Sequence, residues 1–296
     1  MKKELLRCHN LGYVVEGKQL LKGIDFTVYS GQRIALLGHN GSGKSTLIDL
    51  LTGAIRPTEG EVCWYCQPGA KLNRRTVGVV FDELGAFLLL TVGEVIRYFA
   101  RIYGQRDDQR ARYLIERLDL EKNLKKQVRV LSKGERKKLW LLLAMIHQPE
   151  FLIMDEATAE LDPAIKNHCW DKVILEDPLR SILFTTHSWE EAQRYADSIV
   201  FLDNGKMTMD LLPTQQLLST EFLPQKNKVV VMDHPQLQEY LHNSAAVYYL
   251  DQGQLHILPE NLEQTLGQIC QVTPNFSVVN TSLMDVYALS QQKQAS

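Results

Sequence analysis

A glycine-rich segment of this chain has the residue types and the spacing that wrap phosphate groups. Residues Gly38 to Ser45 read Gly-His-Asn-Gly-Ser-Gly-Lys-Ser and fit the pattern G-x-x-x-x-G-K-[ST]. Glycines let the backbone approach phosphate oxygens closely, and successive N–H groups at a helix N-terminus attract an anion. We expect Lys44 to reach the β- and γ-phosphates of a nucleotide and the Ser45 hydroxyl to hold Mg²⁺. The other predicted nucleotide contacts are Gly38, His39, Asn40, Gly41, Ser42, Gly43 and Thr46.

Two adjacent carboxylates, Asp155 and Glu156, follow the apolar run Phe151 to Met154 and complete a site for Mg·ATP. Adjacent strand residues face opposite ways, so we expect Asp155 to orient the metal and Glu156 to polarise the attacking water. His187 follows the next apolar run, Ser181 to Phe184, where its side chain can contact the γ-phosphate and the water together. Glu156 and His187 are therefore the predicted catalytic residues of ATP hydrolysis.

These side chains need a sheet to bring them together. The predicted strand Arg33 to Leu37 leads into the glycine loop, and the predicted helix Thr46 to Leu51 follows it and stops at Gly53. Together with the two apolar runs before Asp155 and His187, this predicts a central parallel sheet in an α/β domain. Apolar residues at helical spacing over Thr91 to Tyr103 and Asp107 to Leu118 predict a helical insert beside the sheet.

Composition limits the classes of protein that fit. The chain has 296 residues and a net charge of −2, which offers no general basic face, so we expect no nucleic-acid partner. We interpret the basic cluster Arg136, Lys137 and Lys138 as a solvated helix face. The longest apolar stretch, Leu139 to Ile146, is far shorter than the roughly 18 residues of a membrane-spanning helix. With no apolar segment after the basic start, a cytoplasmic location is expected.

The five cysteines are an odd number scattered along the chain, which favours reduced thiols over disulfides. Cys63 and Cys66 lack the further ligands of a zinc site, and we interpret them as two small residues in a strand.

The sequence predicts two domains. The first spans residues 1–215 with a helical insert at about 83–145, a linker covers 216–225, and a second domain covers 226–296. The second domain is predicted to be a small α+β unit of βαββαβ order, which suits a ferredoxin-like fold. Its predicted elements are strand Lys228 to Met232, helix Pro235 to Leu241, strand Ala246 to Leu250, strand Leu255 to Leu258, helix Asn261 to Cys270, strand Ser277 to Asn280 and a final helix from Met284.

Three further motifs connect residues 4–210 to a known family. They are Leu131-Ser-Lys-Gly-Glu135, Ala159-Glu-Leu-Asp162 and Thr186-His187-Ser188. With the phosphate loop and Asp155-Glu156 they make the chain resemble the ATP-binding cassette ATPases. The resemblance implies the P-loop NTPase fold of this family, with a mixed sheet core and a helical subdomain, and ATP with Mg²⁺ as cofactors.

The motif beginning at Leu131 carries most of the resemblance. In the family its serine and glycine, here Ser132 and Gly134, bind the γ-phosphate of ATP held on another subunit. The resemblance thus adds Ser132, Lys133, Gly134, Glu135 and Asp162 to the nucleotide-binding residues, and it implies a second cassette as partner. A local reading exists beside it, because Ser132 and Glu135 make a capping box for the following helix.

The segments Leu90 to Tyr103 and Thr281 to Tyr287 look like the branch that serves exporters of drugs, polysaccharides and peptides. The resemblance implies an ATPase peripheral on the inner face of the membrane, driving a separate transmembrane subunit through ATP-dependent dimerisation. We expect that subunit to dock at Phe87 to Leu90, although these residues also suit a buried core. Two other functions stay open, namely a soluble ABC-type ATPase acting on ribosomes or DNA and a regulatory cassette that closes without hydrolysis.

Two positions depart from the family. Asp82 stands where the family has a glutamine that contacts metal and water; a shorter carboxylate can still coordinate Mg²⁺, with changed reach and charge. The aromatic residue that stacks on adenine falls near Val15 by the usual spacing. Tyr13 lies two residues earlier on the same strand face and is our candidate, the alternative being an ordinary surface tyrosine.

Overall fold

The computed structural model describes residues 3–65, 67–68, 72–81, 85, 87–104, 109–219, 222–223, 225–242, 244 and 246–295. Contacts within the chain divide it into two units, Met1–Asp210 and Leu211–Ser296. Among the described residues, no helix is both long enough and apolar enough to cross a membrane.

The first unit alternates strands and helices, as an α/β domain does. Its strands are β1 Glu4–Val15, β2 Lys18–Tyr29, β3 Arg33–Leu37, β4 Glu59–Trp64, β5 Gln67–Pro68, β6 Val77–Val80, β7 Phe151–Asp155, β8 Ser181–Thr186, β9 Ser198–Asp203 and β10 Lys206–Met207. Its α-helices are α1 Lys44–Thr52, α2 Val92–Ile102, α3 Gln109–Arg117, α4 Lys133–Met145, α5 Pro163–Cys169 and α6 Trp189–Tyr195. Short 3₁₀ segments span Glu121–Asn123 and Val128–Val130, and a π-helical turn spans Trp170–Ile174.

The larger sheet runs in the order β10, β9, β3, β8, β7, β6. Its neighbours from β9 to β6 are parallel, whereas β10 is antiparallel to β9. Every residue of β7 and β8 is buried, as their continuous apolar runs predict. The carboxyl ends of β3, β7 and β8 therefore meet at one edge, where parallel sheets place their ligand sites. A second sheet, β2-β1-β4-β5, is antiparallel throughout.

Helix α1 begins at Lys44, two residues before the predicted start at Thr46. The reason is Gly43, whose left-handed φ of 106° turns the chain directly into the first helical turn. Lys44 and Ser45 consequently belong to the helix itself. The predicted stop is confirmed, because Gly53 caps the helix with a left-handed φ of 72°.

The helical insert contains α2, α3 and α4. Helix α2 is capped by Thr91, whose hydroxyl accepts from the Glu94 backbone N–H while the Glu94 carboxylate accepts from the Thr91 N–H. This reciprocal box explains why the predicted helix over Thr91 to Tyr103 is confirmed to within one residue at each end. Helix α3 ends one residue before the predicted Leu118, and residues 105–108 lie outside the described chain.

The second unit has the predicted order of strands and helices. Its elements are β11 Leu212–Pro213, α7 Thr214–Leu217, β12 Asn227–Met232, α8 Pro235–His242, β13 Val247–Asp251, β14 Gln254–Leu258, α9 Leu262–Val272, β15 Phe276–Asn280 and α10 Leu283–Ala295. The antiparallel sheet runs β13-β14-β12-β15, the strand order of a ferredoxin-like unit. A core of apolar side chains that includes Val229, Ile257 and Ile269 packs the strands against the helices.

Cys8, Cys63 and Cys169 are buried thiols, and Cys270 is exposed. Burial raises the pKa of the Cys169 thiol to about 11, which keeps it protonated and unreactive near neutral pH. Cys63 lies in β4 as predicted, while Cys66 lies outside the described residues.

Candidate functional site

Three loops leave the carboxyl edge of the larger sheet and enclose a cleft of about 600 Å³. They follow β3, β7 and β8, the parallel neighbours described above. The residues that line the cleft are Leu37, Gly38, His39, Asn40, Lys137, Glu156, Ala159, Glu160, His187 and Trp189. The cleft thus joins the glycine loop to both predicted catalytic residues.

Lys44 folds back across the glycine loop and is only 5% exposed. Its Nζ donates to the carbonyl oxygens of Gly38 at 2.9 Å and His39 at 3.1 Å, so the lysine holds the loop in a closed ring. Burial lowers the pKa of Lys44, and the charges of Glu156 and Asp155 oppose that shift.

The glycine loop fits a phosphate group in its backbone geometry. Gly41 and Gly43 have φ values of 80° and 106°, which side-chain-bearing residues rarely adopt. A Cβ at Gly38 would lie 2.2 Å from the Leu202 carbonyl oxygen, so only glycine is accommodated there. The buried Ser42 hydroxyl has no hydrogen-bond partner within the described chain. A buried hydroxyl without a hydrogen-bond partner indicates a place for a ligand, and phosphate oxygens suit it.

Ser45, on the first turn of α1, is exposed and available to a metal ion.

Thr185, on β8, forms hydrogen bonds with both acidic residues. Its hydroxyl donates to Asp155 Oδ1 at 2.6 Å and accepts from the Glu156 backbone N–H at 2.9 Å. Asp155 is 5% exposed, and together with burial its charge raises the pKa of Asp49. One hydroxyl therefore sets the position of both carboxylate-bearing residues relative to the neighbouring strand.

Glu156 lies between Lys44 and His187, two residues predicted for the site. Its Oε1 is 3.9 Å from Lys44 Nζ, and its Oε2 is 3.6 Å from His187 Nδ1. The His187 side chain is 59% exposed and faces the open cleft. Glu156 also has a left-handed φ of 45°, which turns the chain sharply at the end of β7. The structure therefore brings Lys44, Glu156 and His187 together.

Lys137 is a residue of the cleft that the sequence analysis placed wrongly on a solvated helix face. It is 8% exposed, and its Nζ donates to the Glu156 carbonyl oxygen at 2.6 Å. One turn earlier on α4, Lys133 forms an ion pair with Glu160 at 3.2 Å. Residues four apart share a helix face, and this face packs on the loop after β7. The consecutive basic run Arg136 to Lys138 gives no local signal that Lys137, and not its neighbours, turns to this loop.

The capping box at the start of α4 is confirmed. Ser132 Oγ accepts from the Glu135 backbone N–H at 3.1 Å, and Glu135 Oε2 accepts from the Ser132 N–H at 2.8 Å. Asn123 donates to Glu135 Oε1 at 2.6 Å, and these bonds lower the pKa of Glu135 to about 2. Ser132 and Lys133 are exposed, and neither they nor Gly134 line the cleft described above. This helix N-terminus is therefore not part of the cleft that contains the nucleotide loop of its own chain.

Three other predicted site residues have different surroundings. Asp162 is exposed and caps α5, with Oδ1 accepting from the Ala164 N–H at 2.9 Å. Tyr13 lies on β1 opposite Leu21, is half-buried and is not among the cleft residues. Its stacking on adenine stays a prediction. Asp82 lies outside the described residues.

Comparison with known proteins gives the same picture for the first unit. A family model described as ABC transporter matches residues 21–159. The chain is 36% identical over 217 residues to human ATP-binding cassette sub-family A member 10, covering 69% of this chain and 14% of the relative. It is 37% identical over 196 residues to Nod factor export ATP-binding protein I of Ralstonia nicotianae, covering 63% of this chain and 60% of the relative. The chain therefore spans only a small part of the human relative.

Solved structures share the fold. The ATP-binding subunit of an ABC transporter superposes with a TM-score of 0.65 at 27% identity, covering 72% of this chain and 91% of that chain. The family match over residues 21–159, the relatives and this shared fold show that the first unit of the chain is an ATP-binding cassette of the ABC transporter family.

Proposed function

We propose that this chain binds and hydrolyses ATP as the motor subunit of an ABC exporter, and that ATP-dependent pairing of two cassettes drives a separate transmembrane subunit. The observation that supports it most is the arrangement of Lys44, Glu156 and His187 around one cleft that begins at a glycine loop. Phosphoryl transfer to water needs a cation at the phosphate, a carboxylate at the water and an imidazole beside both.

In this proposal the loop from Gly38 to Thr46 holds the phosphates of ATP. The backbone N–H groups and Lys44 supply positive potential, and the unpaired Ser42 hydroxyl gains a partner. Ser45 and Asp155 hold Mg²⁺, with Asp82 as a further ligand proposed from the sequence alone. Mg²⁺, when bound, neutralises charge on the β- and γ-phosphate oxygens.

Glu156 acts on the attacking water. Its carboxylate accepts a hydrogen bond from the water and orients it towards the γ-phosphate, while His187 contacts both. The Lys44 ammonium lies 3.9 Å from Glu156 Oε1, so the cation that contacts the phosphates is next to the carboxylate that orients the water. Lys137 Nζ donates to the Glu156 carbonyl oxygen, so the backbone of Glu156 is held in place while Lys44 contacts its carboxylate.

The exposed start of α4 points to a second chain. Ser132, Lys133 and Gly134 form a helix N-terminus, which suits a phosphate, yet they do not line the cleft of their own chain. We infer that they bind the γ-phosphate of ATP on a second cassette, with Asp162 and Glu135 supporting the same interface. Each nucleotide then lies between two chains, and ATP favours the closed pair.

A mixing experiment tests this shared site. Gly134→Asp puts a carboxylate against the partner's phosphate, and Lys44→Met disables the chain's own loop. We expect each variant to hydrolyse little ATP alone. An equal mixture should recover up to about a quarter of the wild-type rate, because half of randomly formed pairs are mixed and each has one intact site.

The readout is phosphate release from the mixture against the two variants measured separately. A mixture of Gly134→Asp with itself at the same total concentration is the control. A mixture no faster than the sum of its parts would contradict the shared site and leave ATP binding by the loop untouched.

The transport part of the proposal rests on a relative and on one surface. The relative from Ralstonia nicotianae is named for export. On the helical insert, Leu88, Leu89 and Leu90 are 37%, 70% and 39% exposed, and Tyr98, which packs against the preceding Phe87, is 50% exposed. We propose that this apolar surface docks a cytoplasmic segment of the transmembrane subunit, which holds the cassette on the inner face of the membrane.

Co-purification from native membranes tests the docking. We expect the tagged chain, extracted in mild detergent with ATP, to bring down a polytopic membrane protein identified by mass spectrometry. Leu89→Arg should reduce its recovery about tenfold, since a charge replaces an apolar contact at the centre of an interface. Leu179→Arg is the matched control, because Leu179 is 78% exposed and lies outside this surface. Recovery of ribosomal or DNA-bound proteins alone would replace transport by another ATP-driven function.

A further inference from the structure

A buried carboxylate behind the cleft has no part in the chemistry described so far. Glu191 lies in the first turn of α6 and is only 5% exposed. Its two oxygens accept hydrogen bonds from different parts of the chain. Trp170 Nε1 donates to Oε1 at 2.8 Å and Thr158 Oγ1 donates to the same oxygen, while Thr186 Oγ1 donates to Oε2 at 2.5 Å. Lys166 Nζ lies 3.9 Å from Oε2.

The two threonines adjoin the two predicted catalytic residues, Thr158 in the loop after β7 and Thr186 at the end of β8. Thr158 is two residues after Glu156, and Thr186 is the residue before His187. Thr186 Oγ1 also accepts from the Ser188 N–H at 3.0 Å, so its hydroxyl fixes the backbone on the far side of His187. One carboxylate therefore holds the surroundings of Glu156 through one oxygen and those of His187 through the other.

We propose that Glu191 is a positioning residue that couples the loop after β7 to the loop after β8, so that Glu156 and His187 hold their places relative to each other. The inference rests on the proposed ATP hydrolysis, since it concerns the rate of that step. Glu191 touches neither Glu156 nor His187 through any contact recorded for the described residues, and it acts through the two threonines.

The charge state of the residue matters for this role. An indole N–H can only donate, so Trp170 requires an acceptor at the Oε1 position. In Glu191→Gln the amide oxygen stays with Trp170 and Thr158, and the amide nitrogen faces Thr186 and Lys166. The Thr186 hydroxyl then loses its carboxylate acceptor and can only accept a weaker bond from the neutral amide N–H, which loosens the loop that carries His187. The variant therefore weakens one half of the coupling and leaves the other half in place.

The first experiment compares Glu191→Gln with Glu190→Gln, a neighbouring exposed residue on the same helix. We expect Glu191→Gln to lower kcat for ATP about tenfold, because misplacing catalytic groups slows chemistry, with the Kd for ATP unchanged within about twofold. Glu190→Gln should match the wild type. A residue needed for folding alone would lower the melting temperature and leave kcat per folded chain unchanged.

A double-mutant cycle then tests the coupling itself and covers the case in which Glu191→Gln folds poorly. Thr158→Val and Thr186→Val keep the shape of the side chain and remove one link each. If both links serve the same coupling, the double variant loses hardly more kcat than either single variant, whereas independent effects multiply. In the Glu191→Gln background, Thr186→Val should have little further effect.

Three results would decide against the inference. A wild-type kcat in Glu191→Gln, or losses that multiply in the cycle, would overturn the coupling and leave the proposed ATPase intact. A wild-type chain that hydrolyses no ATP at any concentration would overturn both the coupling and the proposed ATP hydrolysis. In that case Glu190→Gln would be as inactive as Glu191→Gln, whereas failure of the coupling alone leaves Glu190→Gln active.

Discussion

Replacing Glu156 by glutamine is expected to lower kcat for ATP hydrolysis by about 10³-fold, the usual contribution of a positioned general base. The amide is nearly isosteric, but it no longer accepts the proton of the attacking water. ATP binding needs the glycine loop and not this carboxylate, so nucleotide affinity should be preserved. The closed pair then forms and does not reopen, and an ATP-bound dimer should accumulate. Phosphate release measures the first effect, and light scattering after gel filtration with ATP measures the second.

Glu150→Gln is the matched control for this prediction. Glu150 directly precedes β7, at the opposite end of the strand from Glu156, and its side chain is exposed. The same chemical change there should leave both hydrolysis and oligomeric state as in the wild type. A Glu156→Gln chain that stays monomeric in saturating ATP, or that hydrolyses within tenfold of the wild-type rate, would contradict the proposed roles of Glu156 and of dimerisation.

Replacing Lys44 by methionine is expected to weaken ATP binding by about 10- to 100-fold, the range that corresponds to a lost hydrogen bond from a charged group. Two effects act in the same direction. The phosphates lose a cation, and the loop loses the bonds from Nζ to the Gly38 and His39 carbonyl oxygens. Methionine keeps the length and the apolar stem of the side chain, so α1 should still pack. Isothermal titration with ATP and Mg²⁺ measures the change.

Lys122→Met serves as the control for the general loss of a positive charge, because Lys122 is exposed in a 3₁₀ segment of the helical insert. Its ATP affinity should equal that of the wild type. If Lys44→Met bound ATP as tightly as Lys122→Met, the glycine loop would not be the phosphate site.

The sequence predicts the chemistry of this site well where one local segment contains the whole signal. The glycine loop, the acidic pair after β7 and the capping box of α4 each depend on residues within about eight positions, so their spacing is enough. The order of elements in the second unit is also predicted, because short alternating runs and turns mark each strand.

The sequence fails where the partner of a residue is distant. Lys137 and Lys138 are adjacent and alike, yet only Lys137 turns towards the loop after β7. Glu190 and Glu191 are a similar pair, of which one is exposed and the other accepts bonds from residues up to 33 positions away. Which member of such a pair is buried depends on how helices pack on the sheet, and no local pattern contains that information.

The left-handed backbone of Glu156 has a consequence for how this protein can be stabilised. A residue with a Cβ in this conformation costs roughly 1 kcal/mol, whereas glycine adopts it freely and asparagine adopts it more readily than glutamate. Substitutions that raise the melting temperature are therefore available at the very position where the proposed chemistry needs a carboxylate. A search for heat-resistant variants without an activity assay would tend to select inactive proteins here, which is the trade-off between durability and catalysis common to enzymes.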